Sequence, residues 1–159
     1  MLFEDLPKVM KLLNVNIAYD QKLFLKLALV VNACYKDAPD KARKLAGEVF
    51  LPALALLSEP NNLLSKEVWA ILSKSDCTTR YHFYTHTLTH TFLQNVSLLQ
   101  VMVDTQQEIK RYLRRNSIDN VKQSTRQIAK LSSGANALII FDNMLKQARV
   151  YENMIGAVT

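Results

Sequence analysis

Residues that reverse a chain are scarce in this sequence: three glycines and four prolines serve 159 residues. A β-sandwich or barrel needs frequent tight turns and draws on both residue types. Long helices need few. No segment shows clean period-two alternation, and apolar residues recur instead at helical spacing. Hydrophobic residues make up 49% of the chain, which rules out a disordered tail and supplies a core. These features predict an all-α fold.

The helices can be followed in order. Leu6, Val9, Met10, Leu12 and Leu13 share helical spacing, with Lys8 and Lys11 opposite and Pro7 suited to a first turn. Asp20 reads as the N-cap of a longer helix carrying Leu23, Phe24, Leu27, Ala28, Val30, Val31 and Cys34. A helix apolar over so much of its surface is expected to pack on several sides. Pro39 opens the next helix, where Lys41, Arg43 and Lys44 oppose the helix dipole. Pro52 falls inside its apolar run and should kink or split it. Ser58 to Asn62 is the clearest loop, and Ser65 to Leu72 a further helix. Ser73 to Thr79 is polar and breaks it. A long helix is expected from Leu93 to Arg115, ended by Asn116 and Ser117. Ser117 or Asp119 caps a shorter one with Val121, Ile128 and Leu131, stopped by Ser132-Ser133-Gly134. The last runs from about Asn136 to Met154, with Leu138, Ile139, Phe141, Met144, Leu145, Ala148, Tyr151 and Ile155 on its inner face.

The reading is therefore about seven to eight stacked antiparallel helices forming an α-solenoid of the ARM/HEAT or MIF4G kind. Residues 1–159 form a single helical-repeat module, expected to be a fragment of a longer chain. No stretch reaches the ~18 uninterrupted apolar residues of a membrane span. The longest, Leu23 to Ala33, is interrupted by Lys26 and Asn32. Met1 to Pro7 carries Glu4 and Asp5 and no basic region, unlike a signal peptide. Cys34 and Cys77 are far apart and form no CxxC, which suits buried reduced thiols and leaves a disulfide open.

Three constellations bear on chemistry. His82, His86 and His90 are spaced four apart, as on one helix face, and histidines so placed can ligate zinc. No acidic residue sits among them, and a polar helix or turn is the simpler account of them. Lys110, Arg111, Arg114 and Arg115 form a basic cluster, continued four residues apart by Lys122, Arg126 and Lys130. Within a net charge of +6, this is either a phosphate-binding stripe or a solvated face. Tyr112 is the only aromatic within it, a poor basis for base stacking. Gly47, Gly134 and Gly156 form no phosphate-cradling loop, and neither GxSxG nor HExxH occurs. The expectation is a non-enzyme with no catalytic residues, no cofactor and no resident metal.

Several motifs carry a resemblance. Asn120-Val121-Lys122, Arg126-Gln127-Ile128-Ala129-Lys130-Leu131-Ser132, Phe141-Asp142-Asn143-Met144-Leu145-Lys146-Gln147 and Tyr151-Glu152-Asn153-Met154-Ile155 follow one another at characteristic spacings. Arg80-Tyr81-His82-Phe83-Tyr84 precedes them as an Arg-Tyr-x-x-Tyr motif. Together they resemble the central region of the large (subunit 2) family of THO mRNA-export complexes, concentrated in residues 80–159. Thr85-His86-Thr87 stands where the family usually has Gly and Trp, and Ala137 follows Asn136 where the family has proline. The resemblance implies a nuclear, non-catalytic α-solenoid scaffold that organises the other THO subunits and a DEAD-box RNA helicase. Such a scaffold couples transcription to mRNA packaging and export. It implies no membrane partner, and it associates nucleic-acid contact mainly with a basic C-terminal tail, leaving RNA at Lys110 to Lys130 as the alternative function. Helical spacing suggests that Ile128, Leu131, Phe141, Leu145, Tyr151 and Ile155 pack two neighbouring helices together. An ion pair between Arg126 and Asp142 would fix their angle.

Overall fold

The Asp20 carboxylate accepts hydrogen bonds from the Lys22 and Leu23 amides at 3.1 and 3.0 Å. It satisfies N–H groups that the first turn of a helix otherwise leaves bare. The helix it caps is the second in a computed structural model that describes residues 2–57, 61–114, 121–131 and 136–150. In chain order the α-helices are α1 (Leu2–Leu13), α2 (Gln21–Ala33), α3 (Pro39–Leu45), α4 (Leu51–Ala53), α5 (Asn62–Leu72), α6 (Cys77–His86), α7 (Phe92–Gln94), α8 (Val96–Arg114), α9 (Val121–Leu131) and α10 (Asn136–Val150). The described residues contain no strand, and the fold is all-α. No helix among them is long and apolar enough to cross a membrane.

Local chemistry sets the boundaries. Asn14 ends α1 with φ at 47°, a left-handed conformation that asparagine tolerates better than most residues. Pro39 is the first residue of α3, and Asp40 in its first turn pairs with Arg43 in its last. The hydrogen bond to Asp40 raises the Arg43 pKa, and Arg43 and Lys44, expected to oppose the dipole, stand in the last turn, where cations suit it. The helical run is divided ahead of Pro52, which sits in the short α4. A wide turn over Ala46–Phe50, with i→i−5 bonding such as Leu51 N–H to Ala46 O, leads directly into α4. It accommodates the missing proline N–H without a reversal. Asn61, Asp76 and Asn95 cap α5, α6 and α8 through side-chain oxygens bonded to Leu64, Thr79 and Leu98 amides. The bonds from Thr79 hold the Asp76 carboxyl below the usual range.

Two buried clusters organise these helices. The larger includes Met10, Phe24, Phe50, Leu64, Ile71 and Phe92. The Phe24 and Phe50 rings lie 5.3 Å apart at 41°, a tilted arrangement that aromatic quadrupoles favour. A polar clamp joins α2 to α5 at the edge of this core. Asn32 donates to Glu67 at 3.0 Å and accepts from Lys74 at 2.8 Å, while Lys74 also lies 4.4 Å from the Tyr35 ring centroid. The smaller cluster is Ile109, Leu113 and Ile140, with Ile128, Leu131 and Met144 packed against it.

Several expectations change. Pro7 is interior to α1, because that helix begins at Leu2. Leu93 belongs to α7, and the long helix starts afresh at Val96 behind its Asn95 cap. The polar break after α5 holds over residues 73–76 but is shorter than expected, and α6, a wide turn over Thr87–Thr91 and α7 run on from the Asp76 cap. The α2 helix buries Phe24, Ala28 and Val31 but leaves Leu23, Leu29 and Val30 exposed, so it is covered on one side only. Cys34 is half-buried and Cys77 exposed, and both are free thiols.

Gly47 explains how the threonine-rich helix is held. The Phe83 ring of α6 lies against the Gly47 backbone so closely that a Cβ there would overlap it. Gly47→Ala should therefore destabilise the fold by about 1–3 kcal/mol through overpacking. Helix propensity alone would push the other way, by about 1 kcal/mol. A lowered denaturant midpoint, partly recovered by Phe83→Leu in the same background, is the expected result. A raised midpoint would show that the ring does not sit there.

Candidate functional site

Histidine geometry was the first candidate. His86 and His90 stack with ring centroids 5.2 Å apart, and the Thr91 hydroxyl lies 3.4 Å from His86 Nδ1. His82 instead meets Tyr81 edge-on at 6.3 Å. The three do not gather as ligands. Among the described residues no group of three or more His, Cys, Asp or Glu side chains could hold a metal ion. The wide turn beginning at Thr87 departs from ordinary helical register, and no thiolate or carboxylate is brought alongside to complete a site.

The basic residues are all on the surface where described. Lys110, Arg111 and Arg114 are exposed near the C-terminal end of α8, where cations suit the helix dipole. Arg111 pairs with Glu108 at 3.6 Å and lies over the Tyr112 ring at 5.5 Å. Lys122, Arg126 and Lys130 are exposed on α9 and enter no ion pair among the described residues. Arg115 lies outside the described residues, as do the expected caps Ser117 and Asp119, the stop at Ser132 to Gly134, and Tyr151 and Ile155.

The motif residues divide differently from their spacing. Ile128 and Leu131 do pack on Ile109, Leu113 and Ile140. Phe141 and Leu145 do not: they are 62% and 64% exposed. α10 turns Ile139, Ile140 and Asn143 inward instead, and Asn143 donates to the Ile139 carbonyl at 2.8 Å. That local bond satisfies an amide which burial would otherwise leave costly. Arg126 and Asp142 form no pair. Asp142 bonds Lys146 at 2.6 Å, one turn along the same helix, a partner that is near whatever the inter-helix angle.

The Arg80 motif has a structural account. Its guanidinium donates to the Ser75 carbonyl at 2.7 Å and the Ser73 carbonyl at 3.4 Å, closing the turn after α5. It also lies 5.9 Å from the Trp69 ring centroid. Beside it, an apolar groove of about 240 Å³ is lined by residues including Leu54, Val68, Trp69, Tyr84 and Leu138. Burial against this wall raises the Tyr84 pKa. Sequence reading missed this groove and the Asn32–Glu67–Lys74 clamp. The available signal was Asn32, an uncharged polar residue near the end of a largely apolar run.

Comparison with known proteins gives these surfaces a context. The family model described as the THO complex subunit 2 N-terminus matches residues 1–126. THO complex subunit 2 of Homo sapiens is 28% identical over 176 residues, covering 98% of this chain and 11% of that protein. The Dasypus novemcinctus protein of the same name gives the same figures. That of Arabidopsis thaliana is 28% identical over 123 residues, covering 77% of this chain and 7% of its own length. This chain thus spans about a tenth of the length of such relatives. The likeness reaches well before residue 80 and falls to the family's N-terminal model, whereas the motifs had suggested its central region. A family model covering most of the sequence decides the assignment: the chain belongs to the THO complex subunit 2 family.

Proposed function

We propose that this chain is a non-catalytic scaffold segment of the nuclear THO complex. In this reading it organises other THO subunits and an RNA helicase, and so helps to couple transcription with mRNA packaging and export. One observation carries it beyond family membership: large apolar side chains are left bare over much of the N-terminal helices. Leu12 is 85% and Tyr19 75% exposed, and Leu23, Leu29 and Val30 are bare on α2. Single exposed apolar residues are ordinary, but grouped ones mark surfaces that another chain covers.

Capture of the other THO subunits tests this reading. The chain, immobilised and incubated with them after co-expression, should retain at least one. Leu23→Glu with Val30→Glu should weaken that capture while leaving the helical circular dichroism intact. Retention of none by the unaltered chain, or full retention by the double variant, would defeat the α2 surface as a docking site.

A further inference from the structure

Five cations among the described residues have an acidic partner about one turn away. Lys8 pairs with Asp5, Arg43 with Asp40, Lys44 with Glu48, Arg111 with Glu108 and Lys146 with Asp142, each three or four residues away on the same helical segment. α9 offers its cations no such partner. Its sequence, Val121–Leu131, holds three cations and no acidic residue. Lys122, Arg126 and Lys130 are four apart, so they rise about 6 Å at each step along one side of the helix. Ile128 and Leu131 seat the other side on α8 and α10. The line of charge therefore stands on an anchored helix, and α8 itself ends in exposed Lys110, Arg111 and Arg114.

The kind of partner follows from what the face lacks. Exposed large apolar side chains are spread from Val9 to Val103 and resume at Phe141, with none between among the described residues. A protein-binding surface is usually centred on a desolvated apolar or aromatic anchor. A polynucleotide backbone needs only cations and polar groups, and its interfaces are more polar and more positive. Exposed Gln123 supplies a polar group beside them. The stripe is one side chain wide, which matches a single line of phosphates better than the two strands of a duplex. With no aromatic on α9, the contact would carry little base preference. We propose that the Lys122–Arg126–Lys130 face of α9 binds the phosphate backbone of single-stranded RNA without sequence selectivity.

Titration of the 159-residue chain with a fluorescent oligouridine across a salt series tests this. Each neutralised phosphate on a single strand contributes a slope of about −0.7 in log affinity against log salt. Lys122→Gln, Arg126→Gln and Lys130→Gln together should flatten that slope by about 2 and weaken low-salt binding by about tenfold or more. Glutamine is a good helix former, so helical content should hold. A charge-matched control, Lys8→Gln, Lys11→Gln and Lys66→Gln on α1 and α5, should retain most of the affinity. Equal losses in both triples would reduce the effect to net charge and overturn the proposal. Tighter binding of duplex DNA than of oligouridine would overturn it too, as would polyglutamate binding in place of RNA. Each outcome is independent of whether the α2 surface captures other subunits.

Discussion

Phe50→Ala should cost about 3–5 kcal/mol of folding stability, the range for deleting a fully buried phenylalanine. Phe50 is completely buried. Its ring meets Phe24 of α2, and it ends the wide turn that carries the chain past Pro52. Removing it opens a cavity where backbone bonding is already irregular, so collapse around the gap is restricted. At about 2–4 °C per kcal/mol for a chain of this size, the melting temperature should fall by roughly 6–20 °C. Phe141→Ala supplies the contrast. Its ring is 62% exposed, and surface substitutions usually stay within about 0.5 kcal/mol. Thermal denaturation of the two variants side by side decides the matter. Comparable losses would mean that Phe141 is an inward residue after all and that α10 is rotated from the orientation described.

That contrast also shows what could be read in advance. The all-α fold followed from scarce turn residues and helical spacing. Asp20 and Pro39 announced their helix starts because capping and proline geometry are local effects. The orientation of α10 was not legible in the same way. Ile139, Ile140, Phe141, Met144 and Leu145 make the helix apolar around most of its girth, so periodicity alone could not choose a buried face. Tertiary packing chose the side of Ile139 and Ile140, with Asn143 tolerated there through its bond to Ile139.

The threonine-rich segment, left open between helix and turn by its sequence, was decided by tertiary contacts. Its intrinsic preference is against helix, yet Phe83 against Gly47 and fully buried Thr87 hold it in place. Those are contacts between distant parts of the chain, and no window along the sequence contains both. The basic stripe was visible as a pattern of four. What the pattern could not supply was that the other face of α9 is anchored on α8 and α10.

Ile109→Ala should be nearly as costly locally, about 2–5 kcal/mol, and very differently distributed. Ile109 sits with Leu113 and Ile140 in the small cluster that receives Ile128 and Leu131. α9 packs chiefly on α8 and α10, so this cluster is its main tie to the protein. The larger core holds Phe24, Phe50 and Leu64 through contacts that do not involve Ile109. Segments joined by few apolar contacts open below the global unfolding free energy. Amide hydrogen exchange in the variant should therefore accelerate strongly across α9, while α2 and α5 keep their protection. Uniform acceleration would show that the two clusters unfold as one cooperative unit. Local loosening has a consequence for the proposed RNA contact. The variant keeps every charge on α9 but loses the seating that holds Lys122, Arg126 and Lys130 in line. Its salt slope should stay close to that of the unaltered chain while its affinity falls, because the phosphates neutralised are the same and ordering the helix now costs binding free energy.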